Sequence, residues 1–159
     1  MEIDGAESVN VWPYVRYYIL TMIVATIALA IFLVFVPSLA ESFGKASGFA
    51  INIASTMFAS SKFIKNNGRL FNREEYWKIV SFSTLAACFV SALQGWLVFE
   101  GGARPDLSSL PPVALAGILL FTGLLVFVLN ILGYSSRFGK TMLKAELARR
   151  ARIDAATFH

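Results

Sequence analysis

Residues 62–78, KFIKNNGRLFNREEYWK, form a charged segment between long apolar parts of the chain. The segment carries five of the 14 Lys and Arg residues in a chain of 159 residues that is 57% hydrophobic. Three other stretches, 17–40, 79–99 and 107–136, contain no charged residue at all. An apolar stretch of about 18 residues or more is long enough to cross a bilayer as a helix. The sequence therefore predicts a helical membrane protein.

We predict an all-α fold: an integral membrane four-helix bundle over residues 1–134, followed by a tail, 135–159, with a short basic cytoplasmic helix. The spans are predicted at about 14–39, 46–64, 77–99 and 112–134. The second span is the least apolar, but its small and polar residues recur on one helical face, which neighbouring helices can cover. A secretory signal peptide is the alternative for the first span. Its apolar run exceeds about 15 residues and follows acidic residues, and both features argue against a signal peptide.

The distribution of basic residues predicts the orientation of the chain. With four spans, the N-terminus, the charged segment and the tail share one side of the membrane. Twelve of the 14 Lys and Arg residues then fall on that side, and only Lys45 and Arg104 fall on the other. Because basic residues are retained in the cytoplasm, we predict a bacterial inner-membrane protein with both termini cytoplasmic. The predicted cytoplasmic basic surface comprises Lys62, Lys65, Arg69, Arg73, Arg149, Arg150 and Arg152.

The charged segment also contains the signals that end one helix and begin the next. Gly68 is a plausible end for the second helix. Asn72 followed three residues later by Glu75 matches a capping box at the start of the third. We therefore interpret the segment mainly as a topology signal with two helix caps. A docking surface for a cytoplasmic partner is the alternative.

Polar residues inside the predicted spans form a second set of candidates. Asn52 and Gln94 are expected at similar depths, and we predict that they hydrogen-bond to each other or share a third partner. The predicted intramembrane polar contacts are Asn52, Ser55, Thr56, Gln94 and Asn130. Such contacts usually hold helices together, and the alternative is a polar route for a solute or ion. The spans carry no Asp or Glu deep inside them, which argues against proton-coupled transport.

The composition excludes several kinds of site. The chain has one cysteine, Cys88, and one histidine, His159, so Cys/His catalytic pairs and zinc sites cannot be assembled. Motifs for phosphate loops, metalloproteases and serine hydrolases are missing. We expect no enzymatic activity, no cofactor, no metal and no nucleic-acid partner. The tail carries an apolar edge that could lie on anionic lipid, and an ordinary solvated tail is the alternative. That edge comprises Phe138, Met142, Leu143 and Leu147.

Two stretches resemble a family of short four-span inner-membrane proteins of Gram-negative bacteria with no activity assigned. These stretches are MFASSKFIKNNGRLFNREEYWKIVSFSTLAACFVS at 57–91 and VLNILGYSSRFGK at 128–140. The resemblance implies the four-span architecture and supplies no activity. The acidic N-terminus and the long basic tail depart from the family pattern.

These observations predict a non-catalytic small inner-membrane protein that binds another membrane component. It could be an accessory subunit or an immunity-type protein. The expected partners are the lipid bilayer and a membrane protein, or a second copy of the chain. The alternative is a small channel or transporter subunit formed by oligomerisation, with the polar face of the second helix along the path.

Overall fold

The computed structural model describes residues 8–36, 38, 40–100 and 111–157, and its regular elements in these ranges are helices. They are α1 (Trp12–Phe35), α2 (Ala40–Asn67), α3 (Arg73–Glu100), α4 (Pro112–Gly133) and α5 (Ser136–Thr157). The predicted all-α class is therefore confirmed for the described part of the chain.

Three described segments are long and apolar enough to cross a membrane. They are Trp12–Phe35, Arg73–Gln94 and Pro112–Ala156, with mean hydropathies of 2.7, 1.4 and 2.6 in their most apolar parts. The predicted span at 46–64 is not one of them, because α2 carries too many polar residues for its length. Length and composition thus support a membrane protein with three candidate spans.

Several predicted boundaries were wrong at the helix ends. The first span was predicted to reach residue 39, but α1 ends at Phe35, and Val36 has non-helical angles (φ −129°, ψ 70°). Residue 37 is a proline, which disfavours helical angles in the residue before it. At the other end of α1, Pro13 occupies the first turn, where its missing N–H is tolerated. Helix α2 is longer than the predicted span 46–64 at both ends, and the tail forms α5.

The charged segment forms the tight connection between α2 and α3. Gly68 has a φ of +65°, the left-handed conformation that glycine adopts without steric cost, and its N–H donates to the Ile64 carbonyl at 2.8 Å. The Glu75 N–H donates to Asn72 Oδ1 at 2.8 Å, and the Asn72 N–H donates to Glu75 Oε2 at 2.9 Å. The helix end at Gly68 and the capping box at Asn72 are both confirmed.

The first four helices pack in a ring, in which α1 and α4 each contact both α2 and α3, while α5 packs on α2. Side-chain contacts show that α1 runs antiparallel to α2: Tyr14 contacts Asn67 near the end of α2, and Tyr18 contacts Asn52 further back. We call the end of this ring that holds Gly68 and the start of α3 the connector end. The other is the open end.

Burial is confined to the connector half of the ring. The buried residues fall within 11–22, 52–64, 75–87 and 130–134, with Gly139 of α5 also buried. In the open half, none of the residues 23–36, 47–51, 88–94 and 111–129 is buried. Among the residues whose burial the structure describes, close packing is therefore found in the connector half.

Candidate functional site

The most buried charged group described lies at the connector end. Glu75 begins α3 with a fully buried side chain, and its carboxylate accepts hydrogen bonds from both ends of the Arg69 guanidinium at 2.7 Å. Two backbone N–H groups complete the set, Val9 at 2.7 Å and Asn72 at 2.9 Å. A buried carboxylate is stable only with such compensation. Glu75 thus joins the segment before α1 to the α2–α3 connector.

Arg69 is a structural residue rather than part of a free basic surface. Its side chain is only 20% exposed, and its guanidinium carbon lies 5.4 Å from the centre of the Phe63 ring. The hydrogen bonds to Glu75 raise the pKa of Arg69, so it stays charged at any physiological pH. The cytoplasmic basic surface that includes Arg69 stays a prediction, and the structure adds that this side chain is paired with Glu75. The capping box accounts for the hydrogen bonds between Asn72 and Glu75. The partners of the other Glu75 carboxylate oxygen could not be predicted from residue spacing alone.

The other predicted basic residues divide between docked and exposed positions. The Lys62 ammonium lies 5.6 Å from the Tyr17 ring centre, and Arg150 donates to the Lys65 carbonyl, which joins α5 to the end of α2. Lys65 and Arg150 are nevertheless exposed, as are the remaining residues of the set, Arg73, Arg149 and Arg152; Arg149 pairs with Glu146. The set predicted as one surface is therefore partly used to dock helices together.

Polar side chains connect all four helices of the ring at the boundary between its two halves. Asn52 of α2 donates to the Tyr18 hydroxyl of α1 at 2.8 Å. Asn130 of α4 donates to Thr84 Oγ1 of α3 at 2.9 Å, and its side chain also lies beside Tyr18. Four residues, one from each helix, thus form a polar layer. This layer consists of Tyr18, Asn52, Thr84 and Asn130.

Two acceptors in the polar layer lack a protein partner. Asn52 Oδ1 and Asn130 Oδ1 make no hydrogen bond within the described part of the chain, although the two residues are 4% and 0% exposed. An unmade hydrogen bond at a buried amide costs about 1–3 kcal/mol. The arrangement therefore has capacity for ligands that donate hydrogen bonds, such as water or a hydroxyl group.

The structure separates the predicted intramembrane contacts into two groups. Asn52 and Asn130 belong to the polar layer. Ser55 and Thr56 are buried but bond to carbonyl groups of their own helix, Ile51 and Ile53, at 2.8 Å. Gln94 is exposed. The predicted hydrogen bond between Asn52 and Gln94 is not formed, and Asn52 bonds to Tyr18 instead. Helices α2 and α3 lie across the ring from each other, with α1 and α4 between them.

Helices α2 and α4 approach most closely at Thr56 and Gly133. A Cβ atom added to Gly133 would lie 2.8 Å from Thr56 Cβ and closer still to its hydroxyl oxygen. Real Cβ atoms essentially never approach other atoms so closely, so only glycine permits this crossing. Small residues play this role at many helix crossings in membranes.

A cavity of about 310 Å³ opens beside the polar layer, on its open-half side. Its walls are mainly apolar and come from all four helices of the ring. Residues that line it include Met22, Gly48, Asn52, Ser91, Phe121 and Thr122. We call this space the open cleft. It combines an apolar wall with a buried polar floor at Asn52.

Sequence reasoning missed Tyr18, Thr84 and Tyr134 as parts of the polar contacts. The Ser83 and Tyr134 hydroxyls lie 3.0 Å apart, and both residues are buried. Several aromatic residues lie near helix ends, and their burial differs. Tyr14, Tyr18 and Tyr134 are in the core, whereas Trp12, Tyr17 and Trp77 are exposed. No pattern in the sequence distinguishes the buried tyrosines from the exposed ones.

Comparisons with known proteins identify no relative: no family model, curated protein or solved structure matches the chain. Within the described ranges, no group of three His, Cys, Asp or Glu residues is placed to hold a metal ion. The geometry of the chain itself is therefore the basis for a functional proposal.

Proposed function

We propose that this is a non-catalytic inner-membrane protein of four spans that binds another membrane protein through its open half. The span added to the three candidate spans is α2. The low hydropathy of α2 has a physical explanation. Its polar residues Asn52, Ser55 and Thr56 are buried against α1 and α4, while Ile53 and Phe58 are exposed. The face that α2 presents to lipid is therefore more apolar than the average composition of the helix. With α2 spanning, both termini and the connector end share the cytoplasmic side.

The observation that carries the binding proposal is the lack of buried residues in the open half. The four helices end their mutual packing near the polar layer, leaving apolar inner faces uncovered around the open cleft. Gly48 and Gly117 have no atom within 4 Å of an added Cβ. Small residues with free space around them allow a further helix to approach closely. A transmembrane helix of a partner protein is the occupant that this surface favours.

Site-specific photo-crosslinking in native membranes tests the proposal. A photoreactive residue at Phe121, which lines the open cleft, is compared with one at Phe82, which is exposed on the connector half. We expect a protein adduct of one defined mass from position 121 only, and its loss when Gly48→Leu fills the cleft. An adduct of twice the chain mass would identify a second copy. Lipid adducts alone at both positions would refute binding through the open half.

Transport is the second candidate, favoured by Asn52, which lines the open cleft and whose amide oxygen has no partner in the described chain. A path would have to continue through the connector half, where Tyr18, Phe63 and Tyr134 are closely packed. Solute flux in proteoliposomes distinguishes the two functions. A flux that Asn52→Leu abolishes would favour transport, whereas membranes that stay tight with the wild-type protein would leave binding as the function.

A further inference from the structure

A second cavity, of about 330 Å³, lies at the connector end and is separate from the open cleft. It is bounded by the end of α2, the α2–α3 connector, the start of α3 and the α4–α5 junction. Its polar lining includes Ser60, Asn72, Arg73, Tyr76, Ser135 and Ser136. We call it the junction cavity. Cavities of roughly 300–1,000 Å³ are large enough for small ligands.

Three features of the junction cavity favour an anion. Arg73 contributes a positive charge, is exposed and makes no ion pair with any residue that the structure describes. Ser136, the first residue of α5, and Ser135 just before it also line the cavity, and the first turn of α5 contains no acidic residue. The first N–H groups of a helix lack intrahelical partners and attract negative charge.

Ser60 provides an independent observation at the same place. Its side chain lines the junction cavity, it is only 4% exposed, and its hydroxyl has no hydrogen-bond partner within the described chain. A serine in a helix can usually donate to the carbonyl four residues before it. Ser60 makes no such bond in the described chain, so its hydroxyl is available for a ligand. The two carboxylates that follow Arg73 in the sequence are paired elsewhere: Glu74 with Lys78 and Glu75 with Arg69. Neither forms an ion pair with Arg73.

We propose that the junction cavity binds a phosphate group, held by Arg73, the Ser60 hydroxyl and the first turn of α5. Arginine and helix N-termini are the donors that phosphate oxygens accept from best. The phosphate belongs either to the headgroup of an anionic phospholipid or to free phosphate. The lipid source depends on the proposed topology, which puts the cavity at the cytoplasmic interface, and the free-phosphate source does not.

The test measures binding to the purified full-length protein in neutral detergent. Native mass spectrometry counts retained phosphatidylglycerol against phosphatidylcholine, and thermal unfolding reports the effect of added inorganic phosphate. We expect Arg73→Gln to weaken binding about tenfold, since a charge-assisted hydrogen bond is lost. Arg152→Gln removes the same charge from the exposed part of α5 and should leave affinity within about twofold, because exposed charges are screened. Ser60→Ala should weaken binding a few-fold, as expected for one neutral hydrogen bond.

The two arms distinguish the sources. Retention of phosphatidylglycerol without a response to inorganic phosphate identifies a lipid headgroup, and the reverse identifies free phosphate. Equal losses in Arg73→Gln and Arg152→Gln would show diffuse attraction to a basic surface and overturn the site. Unchanged binding in Ser60→Ala would place the anion outside the cavity and overturn it as well. So would the absence of any response to either phosphate source.

Discussion

Replacing Arg69 by methionine should destabilise the protein more than replacing its partner Glu75 by glutamine. Removing one partner of a buried ion pair costs about 3–5 kcal/mol, because the other charge is left without compensation. The Glu75 side chain is 0% exposed and that of Arg69 is 20% exposed, so water can solvate the guanidinium but not the carboxylate. We therefore expect Arg69→Met to cost about 3 kcal/mol, near the lower end of that range.

Glu75→Gln retains one acceptor oxygen and leaves a charge that is partly solvated. It should cost about 1–2 kcal/mol, mainly from a backbone N–H of Val9 or Asn72 that loses its acceptor. The double variant removes both charges and should be more stable than Arg69→Met alone. This recovery is the feature that distinguishes a buried charge from a simple loss of contacts.

The assay is reversible unfolding of the protein in mixed micelles with increasing denaturing detergent. Lys78→Met is the matched control, because it breaks an exposed ion pair with Glu74. The Lys78 side chain is 49% exposed and that of Glu74 is 61% exposed. Exposed pairs contribute at most about 1 kcal/mol. A double variant less stable than Arg69→Met, or an Arg69→Met loss no larger than that of the control, would refute the reasoning.

Two further predictions concern the helix contacts. Gly133→Ala forces a Cβ atom against Thr56 and should lower the free energy of unfolding by about 1–3 kcal/mol, as overpacking does. In a Thr56→Ala background the same substitution should cost less in the same unfolding assay. Equal losses in both backgrounds would contradict the close approach. A double-mutant cycle on Tyr18→Phe and Asn52→Ala should give a coupling of about 0.6–1.7 kcal/mol, the range for hydrogen bonds between membrane helices. The same cycle on Asn52→Ala and Gln94→Ala should be additive, and coupling there would favour the bond that the structure lacks.

The parts of the fold that depend on neighbours in sequence could be predicted. The charge-free stretches identify α1, α3 and α4, because a charge inside hydrocarbon is costly wherever the helix packs. The turn at Gly68 and the capping box at Asn72 and Glu75 involve residues at most four apart, so their spacing is visible in the sequence.

The candidate site could be predicted only in part. Asn52 and Asn130 stand out because polar residues are rare in such apolar surroundings, and both belong to the polar layer. Their partners were not identified, because Tyr18 lies 34 residues from Asn52, and Thr84 lies 46 from Asn130. Gln94 stands out equally, yet it is exposed in the open half. Depth along a helix can be counted from its ends, whereas the distance between two helices cannot.

By itself, the sequence determined that the chain is helical, that three of its segments can enter a membrane, and where the chain turns between α2 and α3. These properties follow from hydropathy and from backbone hydrogen bonds within a few residues. The tertiary structure alone decided that Arg69 is bound to a buried carboxylate, that packing stops at the polar layer, and that Arg73 and Ser60 share a cavity with the start of α5. Each of these depends on the rotation and separation of helices distant in sequence, which are set by the packing of many side chains together.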